Sequence, residues 1–219
     1  HAEYKNVIPI LGSCKNEELL KGIILKYDIK YIYHAAAYKH VGMLENNISV
    51  AVENNIFGTI NLLNSINQKV NSITIISTDK ATKPKSILGI TKRISEIISE
   101  NRIKKLFPKI NLSIVRFGNV FASQGSFIEI LLDNLKKNQP INITSRKAER
   151  YFMSVKEACK LVITSSTIKS KSYFYTFDMG KSVKITSLIN HLIEYLELNR
   201  SEIQINHTGL KKGEKLKEE

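Results

Sequence analysis

Apolar runs and amphipathic segments alternate along the chain. Four short runs rich in β-branched or aromatic residues predict strands at 30–34, 72–77, 112–115 and 173–177. Five longer segments repeat apolar residues at helical spacing and predict helices at 50–63, 89–106, 127–135, 155–163 and 185–198. Strands separated by helices of this length predict right-handed crossovers. The fold class is therefore α/β, a Rossmann-like parallel sheet with helices on both faces.

Polar residues directly follow three of the predicted strands. The segments are 34–37 (HAAA), 77–80 (STDK) and 116–119 (RFGN). Parallel sheets bind ligands at the carboxyl ends of their strands, so the sequence predicts a site there. An acid and a base, Asp79 and Lys80, stand side by side in the second segment. In isolation, such a pair is more typical of a solvated loop start.

Composition limits the possibilities without deciding the function. The 219 residues, of which 42% are hydrophobic, suit a globular chain of one domain or one and a half. The net charge of +13 suits nucleic acid, a phosphate-bearing metabolite or an acidic membrane, or merely reflects a Lys-rich composition. Cys14 and Cys159 lack metal-ligand neighbours, which indicates reduced thiols, a cytoplasmic location and no metal site.

The amino-terminal end carries further indications. The first residue is His1 rather than Met, so we interpret the sequence as a fragment. No apolar run approaches the roughly 20 residues of a membrane span, and no signal peptide is visible; a longer parent could still carry an anchor. The sequence also lacks the Gly-x-Gly-x-x-Gly turn that opens a dinucleotide-binding unit.

Seven motifs occur in one order along the chain: HAAAYKHV, ENNIFGT, ISTDKA, GITK, VRFGNV, RYFM and TGLKKGEK. Together they resemble the nucleotide-sugar 4,6-dehydratases of bacterial polysaccharide and flagellin-glycan biosynthesis. These are extended members of the short-chain dehydrogenase/reductase superfamily, and the UDP-N-acetylglucosamine 4,6-dehydratase group is the most similar. The resemblance implies that 1–122 is the remainder of an NAD-binding Rossmann domain. It implies that 123–219 is mainly a substrate-binding region, from which about 150–180 returns to the Rossmann core.

The resemblance implies a reaction in which NAD, or NADP, is recycled. A hydride leaves C4 of the sugar, the ketone acidifies the C5 proton, water is eliminated across C5 and C6, and the hydride returns to C6. By match, Asp79 is the acid, Lys80 is the base and Thr78 hydrogen-bonds the C4 oxygen. Lys92 matches the catalytic Lys of the superfamily, which holds the nicotinamide ribose. An adjacent acid and base suit elimination across neighbouring carbons of one ring.

Binding residues also follow from the resemblance. Those expected to contact the cofactor are Ala35, Ala36, Ala37, Asn55 and Lys92. Those expected to line the nucleotide-sugar site are Lys39, His40, Asn119, Arg150 and Glu214. An Arg can hold a diphosphate with two parallel hydrogen bonds. The expected partners are a nucleotide sugar and further copies of the chain in a homo-oligomer.

Several positions depart from the family pattern. Leu88 replaces the Tyr that takes the C4 hydroxyl proton, which leaves Asp79 or an ordered water as the acceptor. Further replacements are Gly42 for a Pro, Ser13 for an Asp that contacts adenine, and Lys211 and Lys212 for an Arg-Pro pair. The two Lys keep the charge but lose the fork geometry of Arg. A solvated tail is the competing interpretation of this last segment.

Three other functions stay open. A nucleotide-sugar 4-epimerase has the same fold, although the 78–80 motif favours a dehydratase because epimerisation needs no acid/base pair for C5 and C6. A truncated, non-catalytic paralogue would explain the departures and the lack of the Gly-rich turn. Nucleic-acid binding has the charge but neither a motif nor an aromatic platform, so we expect no nucleic-acid partner.

Overall fold

The computed structural model describes residues 6–121, 126–170 and 172–218. The strands are β1 (Tyr31–His34), β2 (Ser72–Thr78), β3 (Asn111–Phe117), β4 (Asn119–Val120), β5 (Ile141–Ile143), β6 (Glu149–Arg150), β7 (Phe152–Met153), β8 (Phe174–Thr176), β9 (Val183–Lys184) and β10 (Ile205–His207). The α-helices are α1 (Glu17–Lys26), α2 (Val41–Glu45), α3 (Ile48–Ala51), α4 (Gly58–Ser65), α5 (Ile87–Leu106), α6 (Phe127–Lys136), α7 (Val155–Thr167) and α8 (Ile185–Tyr195). A π-helical turn (Val52–Phe57) joins α3 to α4, and 3-10 turns cover Asp79–Ala81 and Arg200–Glu202.

A four-stranded sheet in the order β1-β2-β3-β8 forms the centre of the fold. All neighbouring pairs are parallel; Thr78 lies opposite Phe117, and Val115 lies opposite Tyr175. The carboxyl ends of β1, β2 and β3 therefore meet at one end of the sheet. The predicted parallel α/β sheet is confirmed.

Both faces of the central strands are covered. Consecutive residues of β2, namely Ile73, Thr74 and Ile75, are fully buried although they point alternately to opposite faces. Helices α5 and α7 both pack against β2 and β3. Continuous apolar runs are typical of strands in this doubly covered position.

The helix predicted at 50–63 is longer and irregular. It runs through α3, the π-helical turn and α4. Asn55 lies buried in that turn and hydrogen-bonds outside the helix, to Tyr38 and Thr91. Such turns are frequent at functional sites. The apolar pattern predicts only that this segment is helical, and it does not distinguish the π-helical turn from the flanking α-helix.

Several helices differ from the sequence-based expectation, and α1 and α8 are two examples. Helix α1 was not predicted, although Leu20 and Ile24 face the core at helical spacing and Asn16 caps the helix by accepting the Leu19 N–H at 3.0 Å. Helix α8 ends at Tyr195 rather than at residue 198. The reason is a left-handed backbone conformation at Glu197, whose φ is 55°.

A second apolar cluster lies outside the sheet. It is formed by α6, α8, β5 and β10, with buried residues such as Leu131, Ile141 and Ile189. Strand β10 pairs in parallel with β5 beside it. Residue 122, where the sequence predicts a domain boundary, lies outside the described residues. The division into a Rossmann part and a substrate-binding part stays a prediction.

Candidate active site

The acid and base lie in a tight turn at the end of β2. Thr78, the last residue of β2, caps this turn: its hydroxyl accepts the Lys80 N–H at 3.4 Å and donates to Oδ1 of Asp79 at 2.8 Å. The Lys80 N–H also donates to Oδ1 of Asp79 at 2.7 Å. These bonds fix the orientation of the Asp79 carboxylate and keep the Thr78 hydroxyl beside it.

The Asp79 and Lys80 side chains form a largely buried pair. Nζ of Lys80 lies 3.0 Å from Oδ1 of Asp79, and the Lys80 and Asp79 side chains are 18% and 10% exposed, respectively. The simpler interpretation, a solvated pair at a loop start, is therefore wrong. Burying an ion pair gives little net stability, because desolvation offsets the Coulomb attraction. A buried acid beside a base is, however, suited to moving protons on a bound ligand.

Two glycines let neighbouring segments approach this turn. A Cβ at Gly89, in the first turn of α5, would lie 2.4 Å from the carbonyl oxygen of Lys80 and cannot fit. A Cβ at Gly118, just after β3, would lie 3.1 Å from Oδ2 of Asp79. The close packing around the acid and base therefore requires a glycine at 89, and a side chain at 118 would press on Asp79.

Lys92 is a buried amine on α5. Only 5% of its surface is exposed, and within the described part of the chain its amine has no hydrogen bond or salt bridge. Burial lowers the pKa of Lys92 from 10.5 to about 8, against the opposing effect of the Glu96 charge. A buried amine without a partner is suited to a polar ligand, and ribose hydroxyls are ligands of that kind.

His34, at the end of β1, is neutral. Its Nε2 lies 2.9 Å from Oγ1 of Thr59, and the Thr59 hydroxyl donates to the Asn55 carbonyl at 2.7 Å, so Nε2 of His34 is the donor. Burial and, secondarily, the charge of Lys92 lower the pKa of His34 to about 4. His34 is a core residue beneath the site.

Asn55 holds the loop that follows β1. Its Oδ1 accepts the Tyr38 N–H at 2.8 Å, and its Nδ2 donates to the Tyr38 carbonyl at 3.0 Å and to Oγ1 of Thr91 at 3.2 Å. The loop that contains Ala35, Ala36 and Ala37 is thereby tied to α5, which carries Lys92. The role of these residues in cofactor binding stays a prediction.

The candidates for the substrate site lie on separate segments. His40 takes the N-cap position of α2, directly after Lys39. Asn119 begins β4, and its N–H donates to the Tyr151 carbonyl at 3.0 Å. Pairing of β4 with β7 therefore joins the Asn119 segment to the segment that carries Arg150.

Arg150 and Glu214 both have partners within the chain. Nη1 of Arg150 donates to the carbonyls of Glu149 at 2.7 Å and Leu216 at 3.0 Å. Oε2 of Glu214 accepts the Lys211 N–H at 3.1 Å. These contacts position the 208–218 segment against β6, while the predicted contacts with a nucleotide sugar stay predictions.

Glu218 is an ionisable group of the site that the sequence analysis missed. It is 4% exposed, and its Oε1 lies 3.5 Å from Nζ of Lys80. Its Oε2 lies 4.0 Å from Nζ of Lys215. The charged composition of this segment left a solvated tail as the competing interpretation, and no periodicity in it marks one buried Glu.

Leu88, which the resemblance matches to the family Tyr, is a core residue. It is 7% exposed and packs with Leu44 and Ala51 in a small apolar cluster, against which Val41 and Ile87 also lie. This environment supplies no hydroxyl from residue 88. Another group must accept the C4 hydroxyl proton if the chain oxidises a sugar at C4.

A buried charge network adjoins the turn. The fully buried carboxylate of Glu96 accepts hydrogen bonds from Oγ of Ser77 at 2.6 Å, Nε of Arg116 at 2.8 Å and Nη1 of Arg93 at 3.0 Å. The two guanidinium groups also lie over the ring of Phe174. Together with Thr82, Arg93, Arg116 and Phe174 line an open cavity of about 250 Å³. Glu96 lies outside the motifs and had no predicted role.

The described residues hold no group of three or more His, Cys, Asp or Glu side chains arranged for a metal ion. Among the helices in those same ranges, none is long and apolar enough to cross a bilayer. Cys14 and Cys159 are both unpaired.

Comparison with known proteins supplies a family. A model described as polysaccharide biosynthesis protein matches residues 1–219. The capsular polysaccharide biosynthesis protein CapD of Staphylococcus aureus is 35% identical over 97% of this chain and 35% of its own length. The probable polysaccharide biosynthesis protein EpsC of Bacillus subtilis is 37% identical over 95% of this chain and 35% of its own. A UDP-glucose 4-epimerase of Rickettsia rickettsii is 31% identical over 86% of this chain and 55% of its own.

Solved structures share the fold. The X-ray structure of Pen from Bacillus thuringiensis matches with a TM-score of 0.89 and 31% identity, over 97% of this chain and 65% of Pen. DesIV, a dTDP-glucose 4,6-dehydratase from Streptomyces venezuelae, matches with a TM-score of 0.81 and 18% identity, over 94% of this chain and 68% of its own. At the latter identity the likeness concerns the fold alone. The chain spans 35% of the length of CapD and of EpsC.

Proposed function

We propose that this chain, which belongs to the polysaccharide biosynthesis protein family, carries the acid/base centre of an NAD-dependent nucleotide-sugar 4,6-dehydratase. Its resemblance to dehydratase-like members of the extended short-chain dehydrogenase/reductase superfamily, inferred from seven motifs, is confirmed by the family match and by relatives such as CapD and EpsC. The reaction, the substrate and the roles of individual residues are the proposal.

The observation that carries the proposal is the buried Asp79–Lys80 pair at the carboxyl end of β2. Asp79 as an acid and Lys80 as a base, 3.0 Å apart, can reach neighbouring carbons of one sugar ring. Lys80 would take the C5 proton, and Asp79 would give a proton to the departing C6 hydroxyl. The Thr78 hydroxyl, beside Asp79, would hydrogen-bond the C4 oxygen. With Leu88 in the core, Asp79 or a water is the acceptor of the C4 hydroxyl proton.

A nicotinamide dinucleotide fits the described residues at its nicotinamide end. The unpartnered amine of Lys92 would hold the ribose hydroxyls, and Ala35, Ala36 and Ala37 would allow close approach of the backbone. When bound, NAD accepts the hydride from C4 and supplies it to C6. The solved DesIV structure has NAD bound, which supports this choice of cofactor.

The substrate would be a UDP-amino sugar such as UDP-N-acetylglucosamine, used to make a surface polysaccharide or glycan. Lys39, His40, Asn119, Arg150 and Glu214 would line its site. The test uses the full-length gene product with UDP-N-acetylglucosamine and NAD. We expect a product that has lost one water and carries a ketone at C4, detected by mass spectrometry and NMR. No turnover, or only an epimer at C4, would contradict the proposal.

A nucleotide-sugar 4-epimerase is the second candidate. The similarity to the Rickettsia UDP-glucose 4-epimerase supports it. The substitution Asp79→Asn separates the two functions, because only elimination needs an acid for the C6 hydroxyl. Loss of the dehydrated product with retained C4 inversion would favour the epimerase.

We also propose that the protein forms a homo-oligomer. Ile90, Ile94 and Ile97 share one side of α5 at helical spacing, and each is 37–41% exposed. Phe57, in the π-helical turn that packs on α5, is 51% exposed. Analytical ultracentrifugation should show an assembly that Ile94→Lys weakens, and a monomeric wild type would contradict the proposal.

A further inference from the structure

The 208–218 segment, here called the C-terminal strap, crosses from the second apolar cluster to the acid/base turn. At its start the Thr208 N–H donates to the Ile143 carbonyl at 2.9 Å. Further along, the Leu216 carbonyl accepts the Glu149 N–H at 2.8 Å and Nη1 of Arg150 at 3.0 Å. Backbone and side-chain bonds thus hold the strap in place up to the residue before Lys217.

The packing of the strap over the site is close. A Cβ at Gly213, whose φ is +80°, would lie 2.7 Å from Oε1 of Glu45 and 2.8 Å from Cβ of Ser86. Oε1 of Glu45 accepts the Ile87 N–H at 2.7 Å at the start of α5. The strap is therefore seated against the same helix that carries Lys92.

The strap ends with Glu218 buried beside Lys80. The charges alternate along a chain of contacts: Asp79 to Lys80 at 3.0 Å, Lys80 to Glu218 at 3.5 Å, and Glu218 to Lys215 at 4.0 Å. Lys215 is 11% exposed and Glu218 is 4% exposed at the side chain. Oε2 of Glu218 accepts no hydrogen bond from the described residues. A buried carboxylate oxygen without a hydrogen bond lowers the stability of the fold, so stability alone does not account for Glu218 at this position.

We propose that Glu218 is the positioning residue of the base Lys80. This inference rests on the proposed dehydration. Lys80 as a neutral amine takes the C5 proton, the C5–H electron pair forms the C5=C6 bond, and the C6–O bond breaks as Asp79 gives its proton to the leaving hydroxyl. Water is released, and Lys80 becomes an ammonium while Asp79 becomes a carboxylate. Glu218 holds Nζ of Lys80 in place and stabilises the positive charge that develops on it.

Glu218 acts on the elimination and not on oxidation at C4. Its nearest partners are the base and Lys215, whereas Lys92 is the amine predicted to contact the cofactor. Two steps of one reaction should therefore separate when Glu218 is changed. A carboxylate that merely fastened the strap would affect folding or substrate binding, and both steps would change together.

The experiment compares Glu218→Gln and Glu218→Asp with wild type in the full-length gene product, with UDP-N-acetylglucosamine and NAD. Three quantities are measured: formation of bound reduced cofactor, exchange of the C5 hydrogen with deuterated water, and formation of the 4-keto-6-deoxy product. For Glu218→Gln we expect reduced cofactor to form as in wild type, while C5 exchange and product formation fall by about 10- to 100-fold. We expect Glu218→Asp to recover part of the loss, because it keeps the charge.

Two variants serve as controls. Glu194→Gln removes an exposed carboxylate of α8, and Lys217→Met removes a strap charge that pairs with Glu149 at 3.4 Å instead of with the site. Both should leave all three quantities unchanged.

The outcomes separate the two proposals. A wild type that neither reduces its cofactor nor dehydrates the sugar would contradict the proposed function itself. An active wild type with a Glu218→Gln variant of equal rate would overturn only the role of Glu218. A third outcome is that both Glu218 variants lose cofactor reduction, C5 exchange and product formation together. That outcome would assign Glu218 to folding or substrate binding and would also overturn the inference.

Discussion

The centre of the sheet and the amino-terminal part of the chain are built differently. Strands β2 and β3 have buried residues on both faces, and the turn with Asp79 and Lys80 follows β2 directly. In β1, by contrast, Tyr31 is 60% and Tyr33 is 43% exposed, and Leu11 further upstream is fully exposed. No strand of the described residues pairs with the outer edge of β1.

The two regions match the two roles that we propose, which are proton transfer at the centre of the sheet and cofactor binding beside β1. Proton transfer needs groups held to within a fraction of an ångström of their productive positions, and the doubly covered centre provides such a rigid support. The loop with Ala35, Ala36 and Ala37, which is predicted to face the cofactor, follows the exposed strand. The adenine half of a dinucleotide would need a Gly-rich turn, and the sequence lacks one. The described residues thus include the proposed acid and base, Asp79 and Lys80, whereas the sequence holds no such Gly-rich turn.

The largest expected effect is chemical and lies at the centre. Asp79→Asn should lower formation of the dehydrated sugar by about 100- to 10,000-fold, because it removes the acid. The rate of product formation in the full-length gene product measures this effect. Asp133→Asn, an exposed carboxylate of α6 that pairs with Lys137, is the matched control and should be near wild type. Equal rates for the two variants would mean that the centre is not the catalytic region.

A matched pair of Leu substitutions tests the packing contrast. Leu112→Ala, in the core of β3, should lower the free energy of unfolding by about 2–5 kcal/mol, because it leaves a cavity. Leu11→Ala should change it by less than about 0.5 kcal/mol, because Leu11 is exposed. Urea unfolding of the 219-residue chain measures both. A large effect of Leu11→Ala would show that the amino-terminal part is packed in solution.

Lys92→Met tests the cost of the buried amine. The pKa of Lys92 is 10.5 in the unfolded chain and about 8 in the folded protein. The buried charge therefore lowers the free energy of unfolding most below pH 8, and this destabilisation disappears as the pH rises to 10.5. The unfolded chain binds more protons in that window, so wild-type stability should rise with pH there. Lys92→Met should therefore be more stable than wild type at pH 7, by up to about 3 kcal/mol. The difference in urea unfolding should shrink between pH 8 and 10.5, and a constant difference would contradict the shifted pKa.

Leu88→Tyr tests the packing of the small apolar cluster around residue 88. The family Tyr would have to fit among Leu44 and Ala51, so we expect a loss of about 1–3 kcal/mol from overpacking. Thermal unfolding measures it, and Leu88→Met, of similar volume, is the control. Undiminished stability with faster turnover would show instead that the site has room for the Tyr.

The local pattern of apolar residues was sufficient to predict much of the parallel sheet and its helices. Runs such as 72–77 predicted strands because both faces of a parallel sheet are apolar, and the order of strands and helices predicted that their carboxyl ends meet. The same pattern did not predict the π-helical turn around Asn55, where Asn55 hydrogen-bonds to Tyr38 and Thr91, residues outside that turn. Helix α1 has a capping residue and apolar spacing, so local pattern is sufficient to predict it.

The sequence by itself determined that the chain is a parallel α/β protein with an acid and a base after its second predicted strand, because strand periodicity and residue order are local properties. Only the tertiary structure decided that Asp79 and Lys80 are buried, that Leu88 belongs to the core, and that Glu218 lies 3.5 Å from Lys80. Burial and contact between residues far apart in sequence depend on how the whole chain packs. A charged tail therefore gave no sign of the carboxylate that it brings to the base.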